Sequence, residues 1–126
     1  QTKTFGQQTI AIGTLSNAVN DESISIGHGT TTLGNNSTAI GQEAKTFDDY
    51  SIALGHFANA VYTNSIALGH SVTTNGIGET RFGGTYLQLP STATPPSTAE
   101  LGALWANTTD NGLYFHNGIA WDKISS

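Results

Sequence analysis

The chain contains neither cysteine nor methionine. Without cysteine there is no disulfide framework and no thiolate metal site, although that absence does not fix a compartment. Charge is also scarce: charged residues make up 10% of the chain, four Lys+Arg stand against nine Asp+Glu, and the net charge is −5. So few cations leave no electrostatic footprint for nucleic acid. Long apolar runs are missing as well; no segment reaches the length that spans a bilayer as a helix, and no membrane insertion is expected. Hydrophobic residues amount to 37% but are spread thinly, which argues against a large globular core. The opening Gln1-Thr2-Lys3-Thr4-Phe5 is polar and lacks the apolar region of a signal peptide. It starts in mid-repeat, as expected for a piece of something longer.

What is present is a period. Ser51-Ile52-Ala53-Leu54-Gly55 returns fourteen residues later as Ser65-Ile66-Ala67-Leu68-Gly69. Stepping back in fourteens finds Ser37-Thr38-Ala39-Ile40-Gly41, Ser23-Ile24-Ser25-Ile26-Gly27 and Thr9-Ile10-Ala11-Ile12-Gly13. A worn copy follows as Glu79-Thr80-Arg81-Phe82-Gly83. A short fixed period is one supersecondary unit stacked on itself, so the fold is a solenoid. The second half of each period keeps its own register, as in Ser16-Asn17-Ala18-Val19 and Ala58-Asn59-Ala60-Val61. Alternation within both halves has period two, which predicts strands. One coil is then two short strands and two tight turns, and the recurring glycine closes the same turn each time, where a Cβ would clash.

Stacking turns positions into columns. Ile10, Ile24, Ile52 and Ile66 form one, interrupted by Thr38; Ile12, Ile26, Ile40, Leu54, Leu68 and Phe82 form a second. Ala11, Ser25, Ala39, Ala53 and Ala67 run on the opposite face of that strand. In the second strand Thr4, Ala18, Thr32, Thr46, Ala60 and Thr74 form a small-residue column. The reading is that the large Ile/Leu columns point inward and pack on this small column in a narrow roll. A coil alone buries too little to offset the entropy of ordering fourteen residues, so each coil needs its neighbours. Phe5, Val19, Leu33, Phe47 and Val61 face the other way; a contiguous stripe of that kind marks an interface, the alternative being a different register in which it caps the roll interior.

The five-residue core, repeating at fourteen with small residues between, resembles the head repeats of trimeric autotransporter adhesins of the YadA-like type. The resemblance covers residues 2 to about 75. It implies a left-handed parallel β-roll, three chains side by side as a homotrimer, and a place in a bacterial or viral surface fibre. The trimer would also cover the apolar stripe. The resemblance is to the head module alone; neither a heptad stalk nor the family's membrane anchor is matched.

After Gly76 the repeat decays. Arg81 falls in the Ala/Ser column and marks a last coil that opens out. Tyr86-Leu87-Gln88-Leu89 reads as a short strand. The three prolines, Pro90, Pro95 and Pro96, lie in a polar stretch that reads as an extended linker. Beyond it Leu101–Asn107, Leu113–His116 and Ile119–Ile124 read as a three-stranded meander, with turns at Asn111-Gly112 and Asn117-Gly118. The domain plan is 1–83 roll, 84–100 linker and 101–126 small β tip. The segment from Gly102 to Ile124 is similar to a small module common in bacteriophage tail fibres. The expected fold class is all-β: a left-handed parallel β-roll solenoid of fourteen-residue coils, then a small antiparallel β-meander.

Candidate chemistry is sparse. His28, His56 and His70 share the position after the turn glycine, and three chains could bring them to a metal or anion site. The blander reading is a solvent-exposed turn position, held by Thr14 and Gln42 in other coils, and no metal or other cofactor is expected. Asp21-Glu22 and Asp48-Asp49 read as solvated turn residues, and no catalytic constellation stands out, so no enzyme is expected. Aromatic rings stack on sugars and anchor interfaces, which makes Trp105, Tyr114, His116 and Trp121, with Asn117 in the adjoining turn, the candidate ligand-binding residues; at least two aromatics should instead build the tip's own core. The expected role is the C-terminal part of an extracellular fibre or adhesin that attaches to a target cell through a surface glycan or protein receptor. The alternative is a structural spacer or trimerisation module with no ligand of its own.

Overall fold

The computed structural model describes residues 1–84, Leu89, 91–97 and 101–124. The chain divides into two compact units, Gln1–Thr85 and Tyr86–Ser126. The expected strand at Tyr86–Leu89 lies, but for Leu89, outside the described residues.

The first unit is a parallel β-solenoid. Its strands alternate along the chain: Lys3–Thr4 (β1), Ile10–Ile12 (β2), Asn17–Ala18 (β3), Ile24–Ile26 (β4), Thr31–Thr32 (β5), Thr38–Ile40 (β6), Lys45–Thr46 (β7), Ile52–Leu54 (β8), Asn59–Ala60 (β9), Ile66–Leu68 (β10) and Thr80–Phe82 (β11). One sheet runs β2-β4-β6-β8-β10-β11 and the other β1-β3-β5-β7-β9, all pairs parallel. Register follows the fourteen-residue period, with Ile52 opposite Ile66 and Ala53 opposite Ala67. Each coil bonds to the next through its backbone, as where Ile52 N donates to Ser65 O at 2.9 Å.

The interior is the reverse of the expected one on the first strand of each coil. Ala39, Ala53, Ala67 and Ser25 are fully buried, while Ile12 is 57% exposed and Ile40 and Leu54 remain more than a third exposed. The Ile/Leu columns therefore point outward and the Ala/Ser column lines the lumen. The reason is width. Corners of a few residues hold the two sheets so close that nothing larger than Thr or Val fits between them. The lumen is completed by Ser23, Ser37, Ser51 and Ser65, by Ser16, Thr30, Ala44, Ala58 and Val72, and by Ala18, Thr32, Thr46, Ala60 and Thr74. From Ala18 to Thr74 the small second-strand column points inward as expected and Phe5, Leu33 and Phe47 are exposed, while Thr4, in the first coil, is exposed and Val19 and Val61 are half-buried.

A polar lumen must bond to itself. Thr30 Oγ1 donates to Ser16 Oγ at 3.0 Å, Ser16 Oγ to Ser25 O at 2.7 Å, and Thr74 Oγ1 to Ser65 Oγ at 3.0 Å. Ser25 Oγ and Thr46 Oγ1 alone among described buried side-chain atoms find no partner. Arg81 ends the Ala/Ser column as the sequence implied: it pairs opposite Ala67, sends Nη1 to Thr73 O at 2.7 Å and meets Glu79 at 3.1 Å.

The corners show what the period alone did not. Gln8, Glu22, Asn36, Tyr50 and Asn64 have φ between 53° and 58°, as do Glu43, Phe57 and Ser71 at the second corner, where Leu15 reaches 62°. Left-handed residues other than glycine thus recur at both corners of the roll. The turn glycines have a separate reason, close approach: a Cβ on Gly41 would sit 2.5 Å from Gly55 O, and its φ is +130°.

The second unit is a four-stranded sheet, Ser91–Thr92 (β12), Leu104–Asn107 (β13), Gly112–His116 (β14) and Trp121–Lys123 (β15), in that order. β13, β14 and β15 form the expected antiparallel meander. β12 adds to it in parallel, with Ser91 opposite Ala106, so part of the stretch read as linker is sheet. The strand expected over Ile119–Ile124 is shorter, because Ile119 and Ala120 belong to the preceding loop.

Candidate functional site

Cross-strand register collects the aromatic residues of the second unit. Trp105 lies opposite Tyr114, Tyr114 opposite Lys123, and His116 opposite Trp121. Opposed residues share a face and alternate residues return to it. Trp105, Tyr114, His116, Trp121 and Lys123 therefore stand on one side of the sheet. Their rings touch in sequence: Tyr114 to Trp105 at 4.9 Å between centroids, Trp105 to Trp121 at 5.5 Å edge-on, and Trp121 to His116 at 5.1 Å edge-on. These are the tilted and edge-to-face arrangements that ring quadrupoles prefer.

The strip has a buried centre and accessible ends. Trp105 is 4% exposed, and its indole N–H donates to Thr92 Oγ1 at 3.0 Å. It is a core residue of this small sheet, and it ties β12 to β13. Tyr114, His116 and Trp121 are half-buried and can meet another molecule. Beyond Tyr114 the strip becomes polar. The Tyr114 hydroxyl donates to Asp110 Oδ2 at 2.7 Å, and Lys123 Nζ reaches the same oxygen at 2.9 Å. The tyrosine hydrogen bond and then the lysine hold the Asp110 carboxyl down at about 2. The same contact with Asp110 raises both Tyr114 and Lys123 above their ordinary values. The ammonium lies 5.9 Å from the Tyr114 ring centre.

Asn117 has a different position. Its Oδ1 accepts from Ile119 N and Ala120 N, both at 2.9 Å, and its Nδ2 donates to Asp122 Oδ2 at 2.8 Å. It shapes a four-residue loop, where a two-residue hairpin was expected, with Gly118 at φ 94°. The other Asn-Gly step closes the loop between β13 and β14, Asn111 itself taking φ 53°. On the opposite side of the sheet, a shallow depression of about 380 Å³ opens among Ser91, Ala106, Asn107, Thr108 and Asn111.

Of the five candidate residues, four thus meet in one strip and Asn117 stands at its margin. Lys123 and Thr92 join the group unannounced. Lys123 was legible, since alternation from Trp121 puts it on the same face. Thr92 was not, because a two-residue strand beside prolines carries no periodic signal.

On the roll, the acidic pairs hold corners together. Asp21 Oδ1 accepts from Gln7 N at 2.8 Å, and Asp49 Oδ1 from Asn35 N at 2.7 Å, each one coil back. Asp48 Oδ2 accepts from Thr63 Oγ1 at 2.7 Å, which lowers its pKa. In the histidine column, His56 and His70 stack in consecutive coils with centroids 5.1 Å apart. His28 is exposed and separated from them by Gln42. Among the described residues no group of three or more His, Cys, Asp or Glu side chains gathers closely enough to hold a metal ion.

Three comparisons bear on these two units. The chain has 20% identity to the collagen-binding domain of the Yersinia adhesin YadA, with a TM-score of 0.43 and 79% of each chain covered. No curated protein matches it. The family model of the YadA head domain repeat matches residues 6–30, 33–58 and 49–71, a little over half of the chain and all within the roll. The outward Ile/Leu columns, the Ala/Ser lumen and the corner glycines are those matched repeats in three dimensions, and the chain belongs to the YadA head domain repeat family.

Proposed function

We propose that the chain is the head section of a homotrimeric adhesin on a bacterial surface, and that it attaches the cell to a glycan or protein receptor. The observation that carries this reading is the outer surface of the roll. Ile12, Ile40, Leu54, Phe5 and Phe47 are between 36% and 68% exposed and lie in continuous columns. A soluble monomer rarely leaves such columns in water, and three copies around one axis would cover them without exposing new ones. The lumen, filled by Ala, Ser and Thr, has no room for a substrate, so any ligand must be met on the outside. Multivalent attachment by three copies lets weak single sites suffice.

Within that reading the receptor contact is the accessible part of the aromatic strip, Tyr114, Trp121 and His116, with Lys123 beside it. Sedimentation of the whole chain should give three times the 13.1 kDa chain mass, and Leu54→Glu should shift it toward monomer. A monomeric native chain would sink the trimer. The whole chain and its Trp121→Ala variant would then be applied to a glycan array and to collagen. Binding that the variant loses supports the strip as receptor site. Equal binding by both moves the site to the corners of the roll. Silence on every surface favours the spacer alternative.

A further inference from the structure

We propose that His56 and His70 form a surface chelate for a divalent transition-metal ion of the zinc, copper and nickel class. Both follow corner glycines and lie one coil apart in a single column. The stack is in register there, with Leu54 opposite Leu68. Gly69 N donates to Leu54 O and Ser71 N to His56 O, both at 2.8 Å. Those two bonds bracket His70 and hold its backbone against that of His56. The ring centroids are 5.1 Å apart and the planes are inclined by 34°. Parallel strands lie about 4.8 Å apart, so the rings keep the backbone spacing and do not splay.

Two imidazole nitrogens on one tetrahedral ion at about 2.05 Å lie roughly 3.3 Å apart. Rings with centres 5.1 Å apart reach that separation by rotating their nitrogens toward each other. Phe57 packs on His56 with centroids 4.1 Å apart, which restricts the motion of that ring. Ser71 Oγ lies 3.4 Å from His70 Nε2, at the margin of hydrogen-bonding distance. His70 is exposed and His56 half-buried, so an ion can enter. Imidazole donors suit zinc, copper and nickel and discriminate against magnesium and calcium. The sequence offered the three-histidine column for a metal only through association of three chains; the coil stack makes His56 and His70 one site within a single chain. A bound ion would clip one coil to the next.

Gln42 occupies the same column, so His56→Gln and His70→Gln place a residue the fold already accepts there. Zinc chloride titrated calorimetrically into the untagged whole chain at neutral pH should show one ion per chain. Either substitution should weaken binding by about tenfold or more, the least that loss of a metal-orienting group costs. His28→Gln should leave it unchanged, and zinc should raise the thermal midpoint of the native chain but of neither weakened variant. Gln42→His sets a third imidazole beside His56 and should tighten binding. Affinity indistinguishable from the native chain in both His56→Gln and His70→Gln overturns the proposal. So does an equal loss in His28→Gln, or no effect of Gln42→His.

Discussion

Substituting Gly41 by alanine tests why the corner glycines recur. Two constraints coincide there. Its φ of +130° is one that L side chains rarely adopt, and a Cβ would stand 2.5 Å from Gly55 O in the next coil. To reach ordinary van der Waals contact that carbonyl must withdraw by roughly 1 Å. Gly55 O accepts from Ala58 N at an already long 3.3 Å, and a shift of that size would take this bond out of hydrogen-bonding range. Backbone strain costs about 1–3 kcal/mol and the lost bond about 0.5–1.5 kcal/mol, so the variant should lose about 1.5–4.5 kcal/mol. Two other glycines separate the causes. Gly78 has φ +70° but nothing within 4 Å of an added Cβ, so Gly78→Ala should lose only the left-handed penalty of about 1–2 kcal/mol. Gly76 has neither constraint, and Gly76→Ala should gain about 0.4–1 kcal/mol through the unfolded chain. Urea unfolding followed by circular dichroism reads all three, at one fixed protein concentration because association contributes to stability. If Gly41→Ala costs no more than Gly78→Ala, coil-to-coil approach is not what holds glycine in that column.

The inverted interior makes a second test: Ala53→Leu should cost about 1–3 kcal/mol or more by overpacking the lumen, whereas Thr38→Ile, which restores the outward column, should be tolerated; urea midpoints decide between them. Trp105→Phe keeps most of the packing but removes the indole donor to Thr92, a loss of about 0.5–1.5 kcal/mol, seen as an earlier thermal change in near-ultraviolet circular dichroism. Asp110 titrates at about 2 in the fold against an ordinary 3.8. A depressed carboxyl stabilises above its unfolded pKa, and that contribution fades as pH falls from about 4 to about 2. Asp110→Asn should therefore flatten the acid limb of tryptophan fluorescence between those values, and an unchanged limb would assign it to other carboxylates.

The sequence by itself determined the period, the strand character, the parallel stacking and the place of the glycines, because each of these is a property of spacing. A fourteen-residue repeat with period-two halves stacks in register, and Ser51–Gly55 can align with Ser65–Gly69 in no other way without losing its columns. The alternation of Ile52, Ala53 and Leu54 also separated two faces. Which face turned inward was decided by the tertiary structure. The rule that large aliphatics go inside assumes room for them. Corners built on left-handed residues such as Tyr50 and Phe57 set the sheets too close together, and the hydrophobic residues were left for a surface that a partner can cover. The second unit divides in the same manner. Alternation placed Tyr114 with His116 and left open how the aromatics would meet, while the contact between Trp105 and Thr92 depended on a strand too short to leave a pattern. The pairing of His56 with His70 was latent in the period, but only the 5.1 Å between their rings makes it chemistry.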